Sequence, residues 1–325
     1  MRSALLWPCL AAALVLGNVF GNALVSPARA AESKAFAAFS TGHYLTALDL
    51  AEKEAAEGSA QAYTLMGEIY AGGLGVSQNF EKAADAYAKG ADLGDVNAQF
   101  ALANLAAAGE GVPKNMRIAA DLFEKVAKTG RADAQYNLAL VYLSGKGRET
   151  NVGKAVEWMT KSAEQGNPYA EYDLGALYQF GRGVPLDKVK AAEWVEKAAE
   201  QGYDQAEIEY GIMLFRGEGV EKDEKRGAEF IRRSAEQGNP VGQNRLARLY
   251  ANGLVYKKDL VEAAKWHLIA REAGISDFDL ELMLSKLTPD ERQKAEWAAE
   301  GWHNNSLNGA PLASFGENPP AQGDQ

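Results

Sequence analysis

The chain has 325 residues, of which 47% are hydrophobic and 24% charged, a globular balance that excludes a wholly disordered protein. Its formal charge is −10 and its pI about 5.0. This argues against nucleic acid or an anionic membrane surface as a partner, because both need clustered Lys and Arg. A single cysteine, Cys9, excludes a disulfide framework.

Arg2 precedes a largely apolar run from Leu5 to Val25, and Ala28-Arg29-Ala30 has the small-x-small form of a cleavage site. Residues 1–30 therefore read as a secretory signal peptide cut after Ala30. The competing reading is an uncleaved anchor helix; the break at Asn18 and the cleavage pattern oppose it. Cys9 lacks the context of a lipid-modified cysteine. Cleavage removes two arginines and no acid, so the mature charge becomes −12 and no stable membrane span remains. A mature chain without cysteine needs no oxidative folding in an exported compartment.

From Gly58 a 36-residue step governs the sequence. Gly58, Gly94, Gly130, Gly166, Gly202, Gly238 and Gly274 keep it, and so does a second column from Gly73 to Gly253. A fixed period of this size marks a solenoid. Each repeat holds two helices. In the fourth, Ala170, Leu174, Leu177 and Tyr178 recur at helical spacing. Gly181-Arg182-Gly183-Val184-Pro185 then interrupts the pattern. The column Asn79, Asn115, Asn151, Asp187, Asp223, Asp259 is all Asn or Asp, which caps the second helix. The glycine at the end of each repeat suits a left-handed helix stop. Residues 31–58 form a degenerate opening repeat, with Ala47 and Ala55 in the alanine columns of the later second helices. Six full repeats follow over residues 59–274.

The pattern resembles the Sel1-like repeat family, a relative of the tetratricopeptide repeats. The resemblance rests on Ala170, Leu174, Gly175 and Tyr178, on the turn Gly181, Gly183, Val184, on Asp187 and Ala191, and on Trp194 with Lys197 to Gly202. It implies an all-α, right-handed superhelical solenoid of stacked antiparallel helix pairs. It also implies a periplasmic destination and a protein-binding role. Some positions depart from the pattern: Ala106 and Leu214 replace the tyrosine, Arg148 and Tyr256 the valine, and Val255 the second turn glycine. Packing is expected to be less regular there.

After Gly274 the period stops. Asp277 to Lys286 reads as a short helix, and Thr288-Pro289-Asp290-Glu291 as the capped start of another carrying Ala295, Trp297, Ala298 and Trp302. The two tryptophans are expected to cover the last repeat. Residues 275–303 are thus capping helices, and 304–325, rich in Asn, Gly, Ser and Pro, read as a disordered tail.

No catalytic constellation emerges. His43, His267 and His303 lie far apart in sequence, with no pair at helical spacing and no cysteine beside them, so neither a metal nor a cofactor is implied. No serine lies in a hydrolase motif. Ser162 and Ser234 stand in an alanine column, where small size explains them. The function expected is a periplasmic protein–protein interaction scaffold, a monomer and not an enzyme. Its partner would be an envelope protein or peptide, such as a signalling or polysaccharide-secretion component. The alternative is a cell-wall or β-lactam hydrolase of the same repeat type. The cysteine pairs of members linked to β-lactams are missing here.

By resemblance, the first helices line a concave groove. Three columns fall on that face: Thr64, Phe100, Tyr136, Tyr172, Ile208, Asn244; then Glu68, Asn104, Leu140, Ala176, Ile212, Arg248; then Gly72, Ala108, Ser144, Phe180, Arg216, Asn252. Leu143 and Phe215 sit one position before the third. Apolar side chains gather in the middle repeats, between polar ends. Tyr136, Leu140, Leu143, Tyr172, Phe180, Ile212, Phe215 and Arg216 are therefore candidates for partner binding. The other reading is that they cover the next repeat.

Overall fold

The computed structural model describes residues 33–307; the expected leader and most of the expected tail lie outside them. Among the described residues there are sixteen helices and no strand. The chain divides into two compact units, one ending at Asp187 and one beginning at Lys188.

The first unit holds α1 (Lys34–Ser40), α2 (Tyr44–Ala56), α3 (Ala60–Gly72), α4 (Phe80–Asp92), α5 (Val96–Ala108), α6 (Met116–Ala127), α7 (Ala132–Ser144), α8 (Val152–Ala163) and α9 (Pro168–Phe180). Each helix packs on the next, so the unit is a stack of helix pairs. The second unit holds α10 (Lys188–Glu200), α11 (Asp204–Arg216), α12 (Glu224–Glu236), α13 (Pro240–Asn252), α14 (Leu260–Glu272), α15 (Phe278–Leu284) and α16 (Pro289–Leu307). It is a stack of the same kind, with α15 and α16 both against α14.

Local chemistry sets the helix ends. Asn79, Asn115, Asn151, Asp223 and Asp259 accept hydrogen bonds from first-turn N–H groups of the second helices. A second cap column serves the first helices: Ser59, Asp95, Asn167 and Asn239 do the same, whereas Arg131 and Tyr203 in that column make no side-chain cap. Small side chains let the helices approach. Ala47, Ala83, Ala119, Ala155, Ala191 and Ala263 occupy one column and are all fully buried.

The turn between paired helices lies on the start of the preceding second helix. A Cβ on Gly111 would stand 2.0 Å from the Phe80 carbonyl oxygen, and one on Gly219 1.9 Å from that of Lys188. Only glycine fits there. The last repeat breaks the rule. Val255 holds φ 65°, and Tyr256 N–H donates to the Leu254 carbonyl at 2.7 Å across it. For a β-branched residue this is strained backbone.

The other departures do not loosen the helices as expected, because substitute contacts fill the gaps. Arg148 pairs with Asp121 and Glu124, Tyr256 stacks on Tyr250 at 4.9 Å, and Ala106 and Leu214 are buried.

Three readings of the C-terminus and the serines need correction. Trp297 does not cover the last repeat: it is 61% exposed, because Ala295, Ala299 and Trp302 form the buried side of α16. The helix continues to Leu307, beyond the expected tail boundary. Ser162 and Ser234 are more than small residues; buried, they donate to the Ala132 and Asp204 carbonyls at 2.8 and 3.1 Å.

Candidate functional site

A further column ties several repeats to the one before. Gln99, Gln135 and Gln243 are buried on first helices and donate to the Ala91, Ala127 and Ala235 carbonyls at the ends of the preceding second helices. These carbonyls are among the unsatisfied acceptors of a helix end. In the second unit Glu207 takes this position and cannot donate. Arg233 takes over: its Nε donates to Glu207 at 2.7 Å, and its Nη2 donates to the Ala199 carbonyl. Glu207 is fully buried, and burial pushes its carboxyl up while Arg233 pulls it down. With such ties holding the stack, the outer surface of the first helices is left to present side chains.

In the first unit that surface is more closed than expected. Tyr136, Leu140 and Tyr172 are buried, and Leu143 packs against the cluster around Phe100, Phe123 and Leu138. Tyr136 lies between repeats, its ring 6.1 Å from that of Tyr169 on the next first helix. Phe180, at the end of α9, is different; it is 51% exposed. Two carboxylates lie on the same surface. Tyr136 donates to Asp173 at 2.9 Å, yet burial pushes Asp173 up to about 6. Burial, and then the Asp95 charge, push Glu68 up to about 8.

In the second unit Ile212 is half-buried, Arg216 is exposed, and Phe215 is half-buried against the cluster of Ile231, Leu246 and Trp266. Gly227 makes room for it, since a Cβ there would lie 2.9 Å from the Phe215 ring. Structure brings Glu209 and Arg245 to this group. Burial raises the Glu209 carboxyl, opposed by Arg216 and Arg245, and burial lowers the Arg245 guanidinium. Both belong to the column Leu65, Ala101, Asn137, Asp173, Glu209, Arg245. Its drift from apolar to charged was visible in the sequence and was the signal for them.

Among the described residues no group of His, Cys, Asp and Glu could hold a metal, and no helix is long and apolar enough to cross a membrane. His267 is fully buried, with Nε2 at 3.1 Å from Glu281. That is a packing environment, not an open site.

The Sel1 repeat model matches residues 60–95, 96–130, 132–167, 168–203, 204–239 and 240–275. Among solved structures, the Sel1 repeat protein from Oxalobacter formigenes is similar at 27% identity and TM-score 0.67, over 75% of this chain and 97% of that one. A second is c5321, a protective antigen of uropathogenic Escherichia coli displaying an SLR fold. It is similar at 28% identity and TM-score 0.51, over 89% of this chain and 75% of that one. No curated protein sequence matches the chain.

Proposed function

Since the chain belongs to the Sel1 repeat family, whose repeats form protein-interaction scaffolds, we propose that it is an exported, non-enzymatic scaffold of the periplasm. It binds an envelope protein through its first-helix surface, and a signalling or polysaccharide-secretion component is the partner class. The observation that carries the reading is the division of labour on these helices. Buried columns hold the stack, while Phe180 in one unit and Arg216 with its charged neighbours in the other stand at the surface. An aromatic or arginine anchor is the usual centre of a protein interface. The periplasmic assignment is supported by the leader-like residues 1–30.

The test is affinity capture from a periplasmic extract with the processed protein as bait, alongside cell fractionation and N-terminal sequencing. A specific envelope protein, lost on replacing Phe180 or Arg216, and a mature N-terminus at Ala31 are expected. Cytoplasmic retention would overturn the location. Turnover of nitrocefin or peptidoglycan by the purified protein would overturn the non-enzymatic assignment.

A further inference from the structure

Arg216 on α11 and Arg245 and Arg248 on α13 gather on the first-helix surface of the second unit, together with Glu209. Arg245 stands apart from the others. Its Nε is buried with no hydrogen-bond partner, and no carboxylate lies within ion-pair distance of its guanidinium among the described residues. Burial, then the Arg216 charge, hold this guanidinium below its ordinary value; Glu209 opposes them and Arg248 adds to them. A half-buried cation whose Nε is enclosed without a bonded anion is costly to fold around.

Its neighbours do not supply the anion. Arg248 holds Asp277 through Nε at 2.6 Å and lies 3.8 Å from Asp279, and Asn244 also donates to Asp277. Arg216 lies 3.8 Å from Glu218, too far for a hydrogen bond. Glu209 lies in the field of both Arg216 and Arg245, which oppose the rise that burial gives its carboxyl, but it is bonded to neither. The geometry points to a carboxylate-binding site formed by Arg245 and Arg216, flanked by Ile212 and Phe215, whose ligand is an acidic and partly apolar peptide segment of a partner protein. This rests on the scaffold reading of the same surface.

Charge selects the ligand. A carboxylate can accept two parallel bonds from a guanidinium, which an unpaired arginine offers ready-made. Glu209, Glu218, Asp277 and Asp279 keep the local field from becoming strongly positive. That leaves one guanidinium for one carboxylate and disfavours dianionic phosphate groups and an anionic membrane, which need clusters of unopposed cations. Ile212 and Phe215 add apolar contact that a free anion would not use.

The experiment measures fluorescence anisotropy of a labelled peptide alternating Glu and Leu against the processed full chain. A Gln and Leu counterpart, inorganic phosphate and phosphatidylglycerol vesicles form the comparison arms. The acidic peptide binds, the neutral one does not, and Arg245→Met or Arg216→Glu weakens binding by about tenfold or more. Thermal unfolding supplies a second readout. Arg245→Met raises the melting temperature of the free protein, since a methionine removes the unpaired charge; a structural arginine would give the reverse. The site is overturned if the acidic peptide fails to bind, if the neutral peptide or the vesicles bind equally well, or if Arg245→Met lowers the melting temperature. Capture of a periplasmic partner that persists when the acidic peptide fails sinks this site alone. Loss of both sinks the scaffold reading as well.

Discussion

The two units use the same helix pairs, yet their first-helix surfaces differ in kind. In the first unit the surface is closed by tyrosines and Leu140, and Glu68 and Asp173 are half-buried among them with raised carboxyls. In the second it carries a half-exposed apolar flank and arginines, one of them without a bonded anion. The difference shows that the repeat constrains second helices tightly and first-helix surfaces loosely. The alanine column is invariant from Ala47 to Ala191 because two helices meet there. The columns facing outward are free to be core in one repeat and surface in another.

The sharpest way to break this contrast is to shave one column in both units. Leu140→Ala, at a position 3% exposed, is expected to cost about 2–5 kcal/mol. Ile212→Ala, in the same column but half-buried, should cost less than half of that. Urea unfolding of both variants decides it. Equal losses would mean that both surfaces are core and that the contrast is false.

Next in size is the substitution of an arginine tie for a glutamine tie. Arg233→Ala leaves Glu207 buried without its cation and should cost about 2–3 kcal/mol. That is near the low end for breaking a buried pair, since the arginine is partly in water. Adding Glu207→Gln should recover most of the loss, because Gln135 and Gln243 show that glutamine bonds the helix end directly. A double variant no more stable than Arg233→Ala would refute the equivalence.

The half-buried acids of the first unit give a smaller effect with a definite sign. Glu68 and Asp173 are raised above their ordinary values, so the folded chain binds more protons than the unfolded one between roughly pH 4 and pH 8. The contribution of these two acids is therefore greatest at low pH and is lost as pH rises through about 6 for Asp173 and about 8 for Glu68. Glu68 faces Asp95 and lies near Tyr87, whose hydroxyl is raised by burial and by Glu68. Neither neighbour supplies a positive charge to reverse the sign. Glu68→Gln should gain about 1 kcal/mol at alkaline pH relative to acid, or about 2–4 °C in melting temperature at this size. Scans at about pH 5 and about pH 9 test it, and an equal shift at both would reject the linkage.

Much of this architecture was legible in advance because backbone chemistry repeats with the sequence. The Asn and Asp caps, the turn glycines and the alanines each report on one local constraint, and each recurs at the same step. The capping box at Thr288 and Glu291 forms as its residue types dictate, with bonds of 2.9 and 3.3 Å. What was not legible depends on pairs of residues about one repeat apart. Tyr136 reads as a surface aromatic until Asp173, on the next first helix, receives its hydroxyl. The charge of Glu209 and Arg245 is legible in their column, but their pairing is not, since helical spacing within α11 or α13 says nothing of the helix alongside. Trp297 failed for a simpler reason: α16 has a narrow apolar side, and Ala295, Ala299 and Trp302 already fill it.

The last contrast concerns two phenylalanines that the sequence places in adjoining columns. Phe180 ends α9 and is 51% exposed, whereas Phe215 lies half-buried against Gly227 and the Ile231 cluster. Phe180→Ala should change stability by no more than about 0.5 kcal/mol, as surface substitutions do. It should still weaken partner capture by about 1–3 kcal/mol if Phe180 is an interface anchor. Phe215→Ala removes packing as well as surface, so it should lower the melting temperature and weaken capture together. Ala198→Leu is the reference for a purely internal change: Ala198 is fully buried, and the added bulk should cost about 1–3 kcal/mol. Melting curves and capture assays on the three variants separate the roles. If Phe180→Ala melts as early as Ala198→Leu, its ring is internal packing, and the first unit's surface has lost its most exposed aromatic anchor. If it melts like the unaltered protein and captures less, an anchor at the end of a first helix is what the first unit contributes to binding.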